Sequence, residues 1–298
     1  MRGGSQRPED SRGGPVRAAA GRAMIPRMPG RSSRAWELFA GWAATLADLG
    51  GTAALLGWDR ETLMPPAGAE GRARLLGTLA ALHHRELVRP DAGEALAELD
   101  SDGDLDEHAR AMVRLTARAR SRAERVPEDL VRELTEACSR CVGAWAEARE
   151  ADDFSAYAGS LKAVVALKRR QAEAIGIGDE PYDALLDEFE PESRAADLEP
   201  VFAELRERLA PLVAAAAGRP EARLPAREWP EEGQMALAHE IAAMVGFAGD
   251  AGVIARSAHP FTSSPHRGDV RFTTRLRADD PIGNITAVLH EAGHALYE

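Results

Sequence analysis

The chain has 298 residues, 45% of them apolar and 29% charged, which is enough to bury a sizeable core and ordinary for a soluble globular protein. Aromatics make up only 5%, while Ala, Arg, Glu and Leu dominate, a bias towards residues that lose little rotamer freedom in a helix. The net charge is −11, but the eight arginines of residues 1–34 outweigh Glu9 and Asp10 to give +6 there and leave −17 on the rest, an acidic body that argues against nucleic acid as a partner.

Residues 1–33 are rich in Gly, Pro, Arg and Ser and bury too little to fold, so a disordered tail is expected there. The tail lacks the roughly 7–15-residue apolar stretch of a secretory signal, and Met24 or Met28 could serve as the start. No stretch reads as the roughly 18 successive apolar residues of a membrane helix. Neither a membrane nor a secretory route is expected, and the sequence is read as cytoplasmic.

Residues 34–298 read as one helical domain. From Trp36 onward, Phe39, Ala40, Ala43, Leu46 and Ala47 recur at three- and four-residue steps. Gly50 and Gly51 are expected to break this helix. "TAALLGWDRETL" resumes it, and Met64-Pro65-Pro66 ends it, since proline removes a donor and clashes with the preceding turn. The next helix, "AEGRARLLGTLAALHHRELV", stops near Pro90. "DEHARAMVRLTARARSRAERV" ends at Pro127 and is followed by "EDLVRELTEACSRCVGAWAEARE". Cys138 and Cys141 in the latter share one helix face without a second pair or a preceding strand, so they read as core cysteines in a reducing compartment. Four more helical segments follow up to "EEGQMALAHEIAAMVGF", with 218–230 as a loop before the last. His239-Glu240 there imitates a metal motif, but Ala243, followed by Met244, stands where the second histidine would be needed. The array is expected to consist of long antiparallel helix pairs.

"HRGDVRFTTRLRADD" changes period. Asp269, Arg271, Thr273 and Arg275 alternate with Val270, Phe272 and Thr274, the pattern of a strand with one polar and one apolar face. A lone hairpin or small sheet is expected just before the last helix.

That helix, "PIGNITAVLHEAGHALYE", contains His290-Glu291-Ala292-Gly293-His294. Residues four apart stack on one helix face, so His290 and His294 can both present a nitrogen to one metal ion. Glu291 sits where its carboxylate reaches the activated water without ligating, the place of a general base. Gly293 costs about 1 kcal/mol relative to Ala inside a helix, which suggests close packing on its face. A catalytic zinc takes three protein ligands. Glu298 is rejected as the third, because a continuous helix carries it about 12 Å beyond His290.

"HEAGHALYE", preceded by "HPF" and "DVRFTTR", resembles the thermostable-type metallocarboxypeptidases of peptidase family M32, the carboxypeptidase Taq family. "ALLGWDRETLMPPAGAEGRARLLGTLAALHHREL" and "PYDALLDEFEPE" extend the likeness, which covers about residues 34–298. The resemblance implies a mainly helical, two-lobed body around a deep cleft, and removal of single C-terminal residues from peptides with broad specificity. It implies zinc or another divalent cation such as cobalt, and a homodimer. It assigns the metal to His290 and His294 and the base to Glu291, and it makes His259 of "HPF" part of the cleft. The family's third ligand is a glutamate in a later His-Glu-Ser/Thr-Gln motif, followed by Ile-Arg and Gln-Asp-His-Trp motifs. None of these occurs here, so the chain reads as the N-terminal portion of a longer enzyme, weak or inactive alone.

Arg271 and Arg275 are candidates for the substrate carboxylate, which arginine holds in bidentate geometry; for Arg271 a structural salt bridge to Asp269 is the competing reading. His266 is assigned to a surface loop. "GVIARSA" before "HPF" lacks the Asp that the family pattern leads one to expect. The other functions compatible with the residues are a non-catalytic helical protein that binds or dimerises, and a zinc endopeptidase or aminopeptidase of the wider HExxH group.

Overall fold

The computed structural model describes residues 33–219, 228–247 and 250–298. The expected N-terminal tail, apart from Ser33, and the middle of the 218–230 loop lie outside the described residues. Ten α-helices and three strands follow in order among them: α1 Arg34–Thr62, α2 Ala69–Val88, α3 Pro90–Asp100, α4 Glu107–Ala123, α5 Glu128–Glu150, α6 Phe154–Ile175, α7 Pro181–Leu186, α8 Ala195–Ala217, α9 Glu231–Met244, β1 Gly252–Arg256, β2 Thr262–His266, β3 Asp269–Thr274 and α10 Pro281–Tyr297. The mainly helical reading with a small sheet before the last helix holds.

α1 corrects one expectation, since it runs without a break through Gly50 and Gly51. A Cβ at Gly51 would lie 2.5 Å from the carbonyl oxygen of Pro265 in β2, whereas nothing lies within 4 Å of one at Gly50. Gly51 is therefore the point where the sheet touches the helix. Gly51→Ala is expected to cost about 1–3 kcal/mol through overpacking against backbone. Gly50→Ala is expected to add about 0.5–1 kcal/mol through helix propensity. Opposite shifts in urea midpoint would check the pair.

α1 is also long and apolar enough to cross a membrane by length and composition alone, contrary to the sequence reading. Part of it is packed in the core: Phe39 and Trp42 are buried with Leu96, Leu99 and Val113 of α3 and α4, and the Trp42 indole donates to the Glu86 carbonyl at 2.7 Å. α2 stops at Val88, just before Pro90 as expected, with the pre-proline Arg89 extended; Pro90 also opens a further helix, α3.

α2 packs along α5, and α5 along α6, with Leu130, Leu134, Leu167 and Ile175 in their shared core. Cys138 is half-buried and Cys141 buried, both as free thiols in the continuous helix α5; burial pushes the Cys138 thiol above its ordinary pKa. α8 buries none of its residues, and Phe202, Leu205, Leu209 and Leu212 stand exposed on it.

The sheet has three strands in the order β1-β3-β2, with β1 parallel and β2 antiparallel to β3, so of the two expected forms, hairpin or small sheet, it is the small sheet, and a mixed one. β3 is central. Val270 and Phe272 pack with Ala238 and Ala242 of α9 and Val288, Ala292 and Ala295 of α10. On the polar face Asp269 and Arg271 stay partly exposed, but Thr273 is fully buried, as is Thr274 on the apolar face. Thr274 donates to the Asn284 side-chain carbonyl at 2.6 Å, Asn284 donates to the Gln234 carbonyl at 3.1 Å, and the Gln234 amide donates to the carbonyls of Trp229 and Arg277 at 2.8 and 2.9 Å. Buried polar groups must be paired, and this chain of bonds fixes α10 against β3 and α9.

Candidate active site

α10 starts where its sequence says it should. Asp280 caps the Gly283 amide at 2.8 Å, and Pro281 takes the first helical position. Asn284, Val288, Glu291, Ala292 and Ala295 form its buried face. His290 and His294 are exposed, and His294 borders the same recess as Glu291. The close packing expected at Gly293 is absent among the described residues, since nothing lies within 4 Å of a Cβ there.

The two imidazole Nε2 atoms are 3.2 Å apart. Two nitrogens each about 2.0–2.1 Å from one tetrahedral zinc stand roughly 3.3–3.4 Å apart, so the pair has the bite of a metal chelate and a divalent ion fits it. Among the described residues no group of three or more His, Cys, Asp or Glu is placed to hold a metal. Glu298 borders the same recess, of about 350 Å³, as Glu291 and His294, yet does not complete such a group.

Glu291 is only 6% exposed. Its Oε2 accepts a hydrogen bond from the Thr262 hydroxyl at 2.7 Å. Thr262 and Phe261 also line a neighbouring cleft of about 450 Å³, walled by Trp58 of α1, Trp145 of α5 and His259. The segment carrying His259 is fastened by Thr273, which receives the Phe261 amide at 3.0 Å, while its own amide donates to the Phe261 carbonyl at 2.9 Å. Phe261 packs on Trp58 with ring centroids 5.7 Å apart, and His259 meets Trp145 edge-on at 6.3 Å.

His290, Glu291 and His294 are thus together, and His259 lines the adjoining cleft. Arg271 is held by Asp269 through two hydrogen bonds of 2.6 and 2.7 Å and lies over the Trp58 ring at 5.8 Å. The salt-bridge alternative for Arg271 is therefore present. Arg275 has no ion pair among the described residues. Burial and then the neighbouring Arg149 and Arg277 lower its pKa from the ordinary value, and neither Arg271 nor Arg275 lines the recess or the cleft. His266 lies exposed at the end of β2, and His239 and Glu240 lie exposed on α9. Sequence reasoning singled out neither Thr262 nor the paired tryptophans as site residues. Trp58 stood in the quoted "GWDRETLMPP", whereas nothing local marks Thr262 or Trp145.

A helical frame thus presents two imidazoles with a chelating separation and a buried glutamate from one helix, beside an aromatic cleft. The chain belongs to the carboxypeptidase Taq (M32) metallopeptidase family, whose profile matches residues 39–298. It is 39% identical over 270 residues to thermostable carboxypeptidase 1 of Thermus thermophilus, covering 86% of this chain and 52% of that protein. It is 32% identical over 253 residues to carboxypeptidase 1 of Bacillus subtilis, covering 82% and 50%. Among solved structures it matches the M32 carboxypeptidase of Deinococcus radiodurans at TM-score 0.76 and 34% identity, and the Pyrococcus furiosus carboxypeptidase at 0.76 and 32%; these alignments cover 89% and 90% of this chain and 54% and 55% of those. The chain spans about half the length of the curated relatives it matches. Family membership implies a divalent metal cofactor.

Proposed function

We propose that the protein is a metal-dependent carboxypeptidase that releases single residues from the C-termini of peptides with broad specificity, using zinc or another divalent ion such as cobalt. The observation that carries this reading is the 3.2 Å separation of the His290 and His294 Nε2 atoms, with the Glu291 carboxylate at the same recess. The bound ion supplies a Lewis acid that acidifies water and polarises the scissile carbonyl. Glu291 takes the proton from the attacking water and hands it to the leaving amine. Trp58, Trp145 and Phe261 offer apolar walls for the peptide, and shape without many polar contacts suits broad specificity. Arg275, without an ion pair among the described residues, suits the substrate carboxylate better than Arg271, whose guanidinium is already engaged.

With two imidazoles and no third ligand among the described residues, this chain by itself holds the metal weakly and turns over slowly. The homodimer and the cytoplasmic location belong to the same proposal. The test compares a short peptide carrying a free C-terminus with its C-terminal amide, with zinc and with a chelator. Slow, chelator-sensitive release of terminal residues from the free form alone is the expected outcome. Cleavage of the amide at an equal rate would point to an endopeptidase or aminopeptidase, and a folded chain that neither binds zinc nor releases any residue would point to a non-catalytic binding protein. In a calorimetric zinc titration, His290→Ala and His294→Ala are each expected to weaken binding by roughly tenfold or more, since each removes half of the chelate.

A further inference from the structure

The two carboxylate oxygens of Glu291 are not equivalent. Oε2 is 2.7 Å from the Thr262 hydroxyl, while Oε1 has no hydrogen-bond partner among the described residues and is not sealed from solvent, and Glu291 borders the recess it shares with His294. The Thr262 oxygen is also 3.1 Å from the Glu291 backbone carbonyl. A hydroxyl has one proton to give. The shorter distance and the ionised acceptor both favour Oε2, because hydrogen bonds to charged groups are shorter and stronger than neutral ones, and a helical carbonyl is already engaged in its own ladder.

We propose that Thr262 is the positioning residue of the proton acceptor: its hydroxyl ties down Oε2 and leaves Oε1 aimed into the recess. The inference rests on the reading of Glu291 as general base. A free glutamate side chain rotates about three bonds, and a misplacement of about 1 Å at a reacting group costs of order 10²-fold in rate. Thr262 is a suitable anchor because it is stiff at two levels. Its β-branched side chain has few rotamers, and its backbone is paired in the sheet opposite Phe272, which is fully buried. Ser264 and Glu298 border the same recess without a hydrogen bond to Glu291, so Thr262 alone holds the carboxylate among the described residues.

The test is a double-mutant cycle in the metal-free chain, read as melting temperature. Thr262→Val, which keeps the branched shape, is expected to lower melting by about 2–6 °C in the parent and by less than about 1 °C in a Glu291→Ala background. Thr262→Ser is expected to restore the parent value. An equal drop in both backgrounds would overturn the proposal, because the hydroxyl would then serve the helix carbonyl only. In peptide hydrolysis by the zinc-loaded chain, Thr262→Val is expected to lower kcat by roughly tenfold with KM nearly unchanged, and Thr262→Ser to recover it. An unchanged kcat would reduce Thr262 to a structural tether. Full activity in Glu291→Gln would remove the base itself, a failure recognisable because the melting coupling would persist.

Discussion

Replacing Glu291 with glutamine should lower kcat of the zinc-loaded chain by about 10²–10⁴-fold while leaving zinc affinity within about twofold. Glutamine keeps the length of the side chain and a carbonyl oxygen that still accepts from the Thr262 hydroxyl, so the recess keeps its shape. What disappears is the capacity to take a proton. At about 1.4 kcal/mol per tenfold, the loss corresponds to roughly 3–5 kcal/mol of transition-state stabilisation. The metal should be nearly indifferent, because on this reading Glu291 borders the recess of His294 without being a ligand, and His290 and His294 remain. Single-turnover peptide hydrolysis and zinc titration of the same preparation separate the two effects. A kcat within threefold of the parent would show that another group accepts the proton, and a lost zinc affinity would show that Glu291 is a ligand.

How far the site could be read in advance depended on how local its causes are. The His-Glu-x-x-His spacing is a property of one helix, so periodicity alone places both imidazoles together. The cap at Asp280 and the proline after it are likewise local. Thr262 was invisible because its partner lies on α10 and they meet only through the sheet. β1 and β2 escaped for related reasons: "GVIAR" has no alternation, and "TSSPH" contains Pro265, which is tolerated only because β2 is an edge strand. Reading β3 correctly as a strand still misjudged its wet face, since Thr273 is covered by the Ser257–Phe261 segment and holds it. Gly51 shows the same limit from the other side. Its sequence neighbours suggest a break, and only a carbonyl from a distant strand explains why a glycine stands in an intact helix. Proline and glycine report local backbone freedom, and packing decides how that freedom is used.

Packing also sets the largest expected loss of stability, which lies away from the recess. Asp187 follows α7 and is only 5% exposed. Its Oδ1 accepts from Arg118 at 2.5 Å and from the Glu192 amide at 3.0 Å; Arg122 pairs with Oδ2 and also donates to the Ala184 carbonyl at 2.9 Å. These bonds tie α4 to the turn after α7, where Glu192 adopts a positive φ of 72°, a conformation that costs a non-glycine residue and needs such support. Asp187→Ala leaves two guanidiniums facing each other without their anion. Removing one partner of a buried ion pair costs about 3–5 kcal/mol; with Arg118 about one-third exposed, roughly 2–4 kcal/mol is expected here. The pH dependence follows from the carboxyl itself. Burial opposes its ionisation, but the Glu192 amide and the two arginines outweigh burial and hold its pKa below the ordinary value. A lowered native pKa gives stability that is complete above the unfolded value near pH 4 and is lost as pH falls through the native one. Urea unfolding of the parent and the Asp187→Ala chain should therefore differ widely at pH 7, with a gap that narrows as pH falls below about 4. A gap that stays constant across that range would mean the loss comes from packing and not from the charge.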